Sequence, residues 1–447
     1  SELSSDYLYY SPSDPSVDAT QQEILDGFLN AATGPQNDYE VARKYLSGEI
    51  ASGWNPSAEL LVGNTKPVVN ISGTNDATVT FEASARVDEL GRYQEFVPSI
   101  SRVLNFRFVI ENGEWRISQA PNVTVLVRPI FDVLFRSYSL YFYDNQERYL
   151  VPDTRWFATR ISTSTRLASA LLSGPDFWLR DAVKSAFPMG TQLALDSVLV
   201  QDGVAIVDLD GSANSTTVSQ RQRMLVQLTA TLTQLPSVFA VQIKIDGVPQ
   251  NITNLPYQVS LANNPDPIVL TADGFRQLSI NATPMTRASE AAKAWRAYEF
   301  AINNQQTLLA LLGPQGVGLS RLVGGKSETV AIDSRPDLLA PVIDPQGYIW
   351  TLGSLNASEL AAHDSSGNQR FATLGWLGQA EHLGFSISRE GSRIAFLLGY
   401  SGSARIYVAA IVRDENGAPV ALSTPIRLGL AERPAGSVAF IDETTVA

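Results

Sequence analysis

Two aspartates at the end of a short apolar run are the clearest candidates for metal chemistry. The stretch Asp208-Leu209-Asp210-Gly211, with Asn214 beyond it, resembles the start of a calcium-binding loop. Calcium takes several oxygen ligands, and such loops usually end with a bidentate glutamate. Residues 212–219 contain no acidic side chain. A calcium site at Asp208 and Asp210 therefore stands beside a simpler interpretation, a turn that caps the next helix.

Cysteine and histidine, which carry much nucleophilic and metal chemistry, are scarce. The chain has no cysteine and only two histidines, His363 and His382. Without cysteine, disulfides, thiolate zinc sites, iron–sulfur clusters and a cysteine nucleophile are excluded. Neither histidine has a nucleophile at a recognisable spacing. We therefore predict a protein that is not an enzyme and has no cofactor.

Two glycine-rich stretches, 313–318 and 322–327, invite comparison with phosphate-binding loops. A P-loop has a glycine, four further residues and then Gly-Lys-Ser or Gly-Lys-Thr. Ser320 occupies the position of that first glycine before Gly325-Lys326-Ser327. We interpret these stretches as loops between the blades of the β-propeller described below.

Acidic and aromatic residues near predicted turns could serve carbohydrate chemistry. A glycosidase needs two carboxyl groups about 5–9.5 Å apart, and the candidates are Asp333, Asp337, Asp344, Asp364 and Glu390. Aromatic rings could line a carbohydrate-binding mouth, and the candidates are Tyr348, Trp350, Trp376 and Tyr400. The alternatives are solvated turns for the acids and blade core for the rings.

Length and charge limit the classes of protein that fit. The 447 residues include 33 Lys and Arg and 45 Asp and Glu, a net charge of −12. At roughly 150 residues per domain, about three domains are expected. An acidic chain lacks the basic footprint of a nucleic-acid-binding protein. No apolar run approaches the ~18 residues of a membrane span.

The first part of the chain predicts an α+β domain over residues 1–120, which begins with an extended arm. Ile24, Leu25 and Phe28 recur at helical spacing, and either Asp18 or Thr20 can cap the helix. A second helix is predicted over 39–46. Strands are predicted over 67–71, 77–87, 100–110 and 114–117, with a hairpin at Asn112-Gly113.

Residues 121–250 predict a second α+β domain. A hairpin around 144–146 is followed by helices over 164–172, 176–185 and 219–235. Strands are predicted over 192–200, 204–209 and 240–245. Pro236 ends the longest of these helices.

Residues 251–447 predict a linker followed by β-propeller blades. An apolar strand, a polar turn and a second apolar strand begin at Ile302, Ile343 and Ile387, with a degenerate copy near 440–442. Repeats of about 40–45 residues are typical of propellers. A meandering β-sandwich is the alternative. Because an unclosed ring leaves a bare sheet edge, we expect the natural chain to continue beyond this one.

The order of these units resembles a known family. Residues 203–209, 220–235 and 238–246 are similar to a GerMN domain. Residues 23–46, with Phe28-Leu29-Asn30-Ala31-Ala32, resemble the start of the actinobacterial LpqB lipoproteins. The family has an N-terminal α+β domain, a GerMN domain and a C-terminal propeller. Its lipobox cysteine is absent from this chain, so a lipid anchor follows from the family alone.

The resemblance implies a lipid-anchored protein on the outer face of the cytoplasmic membrane. Family members are accessories of the MtrA–MtrB two-component system and contact the extracytoplasmic domain of the MtrB sensor kinase. They influence cell-wall homeostasis and cell division. The alternatives are a cell-wall glycan-binding or glycan-processing protein that uses the propeller mouth, and a structural spacer without a partner.

Overall fold

In the computed structural model, the described residues are 12–34, 39–159, 162–257, 266–278, 285–324, 328–355, 357–400, 403–431 and 436–447. They form two α+β units followed by a two-stranded hairpin and three sheets of four, four and five strands, which confirms the predicted multidomain class. None of the helices in these ranges has the length and apolar character that crossing a bilayer requires.

The first unit is a curved sheet with helices on one face. Its helices are α1 (Gln21–Ala31), α2 (Glu40–Arg43) and α3 (Gly48–Ala51). Its strands are β1 (Glu59–Gly63), β2 (Val68–Ser72), β3 (Asp76–Asp88), β4 (Tyr93–Glu111), β5 (Glu114–Gln119) and β6 (Thr124–Val127). The sheet order is β5-β4-β3-β1-β6, and β2 pairs with β3.

Local sequence explains how α1 begins and what it buries. The Thr20 side chain caps the helix, and the Glu23 carboxylate accepts the Thr20 backbone N–H at 2.8 Å. Ile24, Leu25 and Phe28 are fully buried against the sheet. Of the helix predicted over 39–46, only the four residues of α2 are helical.

The second unit begins with helix α4 (Arg128–Leu134) and contains α5 (Thr163–Leu172) and α6 (Val218–Leu232). Its strands are β7 (Phe135–Asp144), β8 (Leu150–Ala158), β9 (Val183–Lys184), β10 (Leu199–Gln201), β11 (Val204–Leu209), β12 (Ala240–Ile245) and β13 (Val248–Pro249). They form a β8-β7-β9 sheet and a β10-β11-β12-β13 sheet.

Two predicted elements of this unit are wrong. The helix predicted over 176–185 does not form: residues 177–182 form turns and Val183–Lys184 form β9, and the Asp176 backbone N–H donates to the buried Asp153 carboxylate at 2.8 Å. The apolar spacing there reflects Trp178 and Leu179 entering the core from a loop. Most of 192–200 is not a strand; Leu193 makes one isolated bridge before β10 begins.

The third unit begins with strands β14 (Ile268–Thr271) and β15 (Gly274–Gln277) and helix α7 (Thr286–Trp295), which were not predicted. Blade 1 has strands β16 (Glu299–Ile302), β17 (Leu308–Gly313), β18 (Gly316–Arg321) and β19 (Thr329–Asp333). Blade 2 has β20 (Val342–Ile343), β21 (Ile349–Thr351), β22 (Leu360–His363) and β23 (Gln369–Thr373). Blade 3 has β24 (Glu381–Ile387), β25 (Arg393–Tyr400), β26 (Ser403–Arg413) and β27 (Pro419–Leu422), with β28 (Ile426–Ala431) also paired to β26.

The predicted repeat corresponds to the first hairpin of each blade. Ile302, Ile343 and Ile387 are the last residues of β16, β20 and β24. At the fourth copy, Phe440 pairs with Val446 in one isolated bridge. The glycine-rich stretch 313–318 is the tight turn between β17 and β18 within blade 1, so its assignment to a loop between blades is wrong. Residues 325–327 lie outside the described residues.

Apolar layers join the blades to each other and to the second unit. One cluster lies between blades 1 and 2, and another between blades 2 and 3. On blade 1, α7 and the β14–β15 hairpin cover the sheet with Trp295 and Phe275. On blade 3, Leu397 and Val408 belong to the same cluster as the core of the second unit.

Candidate functional site

The Asp208 and Asp210 carboxylates each accept a backbone N–H. Asp208 is the last residue but one of β11 and accepts the Gly247 N–H at 2.9 Å. Asp210 accepts the Ser212 N–H at 3.2 Å and caps a short 3₁₀ turn. Within the described ranges, no three His, Cys, Asp or Glu side chains converge as a metal site would require. Asp210 thus caps the 3₁₀ turn, whereas the next helix, α6, is capped by Thr217, whose side chain accepts the Gln220 N–H.

Asp344, a candidate acid, lies at the centre of a buried network between blades 2 and 3. Its Oδ2 accepts from Arg413 Nη2 at 2.6 Å and from Trp350 Nε1 at 2.8 Å. Its Oδ1 accepts the Tyr348 N–H at 2.8 Å. The Arg413 guanidinium also donates to the Gly391 and Gly417 carbonyl oxygens. Asp344 is 2% exposed, so this carboxylate holds the blades together and is closed to solvent.

Asp333 and His363 lie close together but lack the geometry of a catalytic pair. The Thr351 hydroxyl donates to Asp333 Oδ2 at 2.6 Å and lies 3.4 Å from His363 Nε2. Its proton therefore faces the carboxylate, and Thr351 itself is fully buried. Burial would raise the pKa of Asp333, but hydrogen bonds from Arg335 and Thr351 outweigh it and hold that pKa below its usual range. Burial lowers the pKa of His363, which favours the neutral ring.

The second histidine and the last candidate acids are also engaged in structural contacts. His382 is fully buried, and its ring nitrogens lie 2.7 Å and 2.9 Å from the Gly353 and Leu377 carbonyl oxygens. Glu390 accepts from Arg393 at 2.7 Å inside blade 3. Asp364 accepts from Arg370 at 2.6 Å. Four of the five candidate acids thus face an arginine, namely Asp333, Asp344, Asp364 and Glu390.

The aromatic candidates divide by burial. Trp350 is 0% exposed, so its ring cannot stack on a ligand from solvent. Trp376 is partly exposed and packs edge-on against Phe396, with ring centroids 5.3 Å apart. Tyr348 is partly exposed and lies near the Arg413 guanidinium. Tyr400 is partly exposed as well, with the Arg405 guanidinium over its ring, so every candidate except Trp350 has ring surface within reach of a ligand.

Sequence reasoning missed the junction between the first and second units. Helix α4 lays Phe131 on the sheet of the first unit, where Leu60, Val62 and Val87 are buried against it. The Phe131 ring lies 5.3 Å from that of Trp156 in β8. The backbone N–H of Trp156 donates to the Gly91 carbonyl oxygen at 2.8 Å. In the sequence, this junction is indicated only by the apolar residues of 125–135, and these have neither a helical nor a strand period.

Comparison with known proteins places this arrangement in a family. Residues 14–132 match the model "Lipoprotein LpqB, N-terminal domain", and residues 139–251 match "Sporulation and spore germination". Residues 276–447 match "Lipoprotein LpqB beta-propeller domain". The three matches follow one another along nearly the whole chain, in the order of the three structural units.

Individual relatives agree with these matches. The Lipoprotein LpqB of Bifidobacterium longum is 27% identical over 91% of this chain and 72% of its own length. That of Streptomyces coelicolor is 26% identical over 93% of this chain and 75% of its own length. The first GerMN domain of GerM from Bacillus subtilis is 24% identical over 28% of this chain and 97% of that domain, with a TM-score of 0.22. Because both terminal units match LpqB domains and relatives align across all three, the chain belongs to the LpqB lipoprotein family.

Proposed function

We propose that this chain is a non-enzymatic, lipid-anchored protein on the outer face of the cytoplasmic membrane. It docks onto the extracytoplasmic domain of an MtrB-like sensor histidine kinase and modulates its signalling, which affects cell-wall homeostasis and cell division. The relatives' name supports the lipoprotein part of the proposal. The kinase follows from the family resemblance.

One structural observation carries the docking role: the residues best suited to chemistry are committed to holding the fold. Asp344 and Asp333 face arginines, and both histidines are buried. Apolar clusters join the first unit to the second and the second to blade 3. A body joined in this way acts through its surfaces, because it presents them to a partner in a fixed arrangement.

The test is a calorimetric titration of the chain against the purified extracytoplasmic domain of its cognate sensor kinase, at two salt concentrations. The proposal expects saturable binding at micromolar concentration or tighter that weakens as salt rises. No heat from two demonstrably folded proteins would overturn it. A parallel titration with peptidoglycan fragments covers the glycan alternative, in which Tyr348, Trp376 and Tyr400 provide the accessible rings.

A further inference from the structure

The sheet of the first unit has one covered face and one face that is only half covered. Its inner face buries Val79, Phe81 and Phe106 against α1 and its neighbours. On the opposite side, α4 covers one end through Phe131. A register shift between Ala83 and Ala85 separates this covered end from the rest of β3.

The remainder of that side, which we call the open face, has no element packed on it in the described part of the chain. Val68 and Val103 flank Thr80 on the two neighbouring strands. Their residues are 65% and 57% exposed, although valine in a sheet usually packs against something. The open face consists of Val68, Thr78, Thr80, Glu82, Val103 and Val109.

The open face continues an interface that already exists. The α4 helix buries Val62 and Ala85, which project from the same side of the sheet as Thr80 and Glu82. One continuous sheet surface therefore carries an apolar contact at one end and exposed β-branched side chains at the other. A partner on the open face would rest beside α4 and touch both units.

Charge indicates what kind of partner fits. Residues 1–132 contain 18 acidic and nine basic side chains, whereas residues 133–250 contain ten of each. Of the basic groups on this side of the sheet, Arg107 is paired with Asp76, and Arg116 lies opposite Val109 at the edge of the face. Glu82 is exposed and lies opposite Ser101 of β4. The first unit thus presents an excess of negative charge, which favours a basic partner surface.

We infer that the open face is the surface on which the kinase's extracytoplasmic domain docks, through a patch of that domain that combines apolar and basic side chains. This inference rests on the proposed function, because it names the contact surface for the same partner. The exposed valines supply the apolar contact, and Glu82 with the acidic surroundings supplies attraction and orientation.

The experiment compares single substitutions in the full chain, titrated calorimetrically against the purified kinase domain. Val103→Lys and Val68→Lys place a positive charge on the open face. Val330→Lys is the matched control, because Val330 is a strand valine of blade 1 that is 56% exposed, against 57% for Val103. Equal thermal unfolding midpoints for the four proteins establish that they are folded alike.

The inference expects Val103→Lys and Val68→Lys each to weaken binding at least tenfold, and Val330→Lys to change it less than twofold. Glu82→Gln should reduce the salt dependence of binding. If the natural chain binds and neither open-face lysine weakens it, the surface assignment is wrong and the proposed function stands. If the natural chain does not bind, both the surface assignment and the proposed function are wrong. A dimer of the chain alone that Val103→Lys dissolves would assign the face to a second copy, and would overturn the inference.

Discussion

Asp344 and Arg413 form a buried ion pair between blades 2 and 3, with 2.6 Å between Asp344 Oδ2 and Arg413 Nη2. The side chains are 0% and 4% exposed. Asp344 lies in the first hairpin of blade 2 and Arg413 at the end of the third strand of blade 3. Because the guanidinium also reaches two carbonyl groups of blade 3, one side chain fixes the spacing between the blades.

Asp344→Asn should destabilise the protein by about 3–5 kcal/mol, because it leaves the buried Arg413 charge without its counterion. Chemical unfolding at neutral pH measures this loss. Asp132→Asn is the control: Asp132 pairs with Arg128 at 3.1 Å, but both side chains are about half exposed. That substitution should cost less than about 1 kcal/mol. Equal losses for the two variants would show that the blade contact is not held by this pair.

Gly91→Ala should loosen the junction between the first and second units. Gly91 has φ +77°, and a methyl group there would lie 2.7 Å from the Phe157 ring, which is itself buried. Gly113→Ala is the control, since Gly113 has φ +85° in a hairpin with nothing within 4 Å. Both variants pay about 1 kcal/mol for the left-handed backbone. Gly91→Ala should cost about 1–3 kcal/mol more from overpacking.

Unfolding free energies of the two glycine variants decide this prediction. Limited proteolysis should also cut Gly91→Ala faster between the first two units, near Ala120 and α4. Identical stability and cleavage of the two variants would mean that the Gly91–Phe157 contact does not couple the units.

The blade repeat could be predicted because its turn chemistry is local. Asn303 accepts the Thr307 N–H, Asp344 accepts the Tyr348 N–H, and the Ser388 hydroxyl accepts the Arg393 N–H. Each bond spans four or five residues, so a polar turn between two apolar strands is visible in the sequence itself. For the same reason the cap of α1 could be narrowed to Asp18 or Thr20, of which the structure shows Thr20.

Contacts between distant residues could not be predicted. Asp344 and Arg413 are 69 residues apart, and each alone has the pattern of an ordinary polar turn residue. Helix α7 was not predicted, because its buried face is mostly alanine and therefore gives only a weak apolar pattern in the sequence. Trp350, a candidate ligand-binding ring, is buried, and its indole N–H donates to Asp344, a contact that the sequence does not indicate.

Asp364 should make the protein more stable above pH 4 than at pH 2. Partial burial would raise the pKa of this carboxyl, but hydrogen bonds from the Asn368 N–H and the Arg370 guanidinium lower it to about 2. A carboxyl group whose pKa is lower in the folded than in the unfolded state stabilises the folded protein at pH values above its unfolded-state pKa, here near 3.8. That stabilisation is lost as the pH falls to the folded-state pKa of about 2.

Unfolding of Asp364→Asn measured from pH 5 to pH 2 tests this expectation. The variant should be less stable than the natural chain at pH 5, and the difference should shrink toward pH 2. Asp414→Asn is the control, because Asp414 accepts the corresponding backbone bonds in blade 3, from Asn416 and Ala418, without an arginine hydrogen bond in the described ranges. A difference that stays constant with pH would contradict the prediction.

Trp350→Phe separates a structural role of this ring from a ligand-binding one. The substitution removes the bond from Nε1 to Asp344 Oδ2, 2.8 Å long, and leaves a buried acceptor short of one donor. We expect a loss of about 1–3 kcal/mol in the free energy of unfolding. Because the ring is fully buried, the thermal shift produced by peptidoglycan fragments should be the same as for the natural chain, whatever its size.

Trp376→Phe, at a partly exposed ring, is the companion variant. A folded Trp350→Phe protein that loses a fragment-induced shift, while Trp376→Phe keeps it, would place Trp350 in a glycan site and contradict its assignment to the blade core.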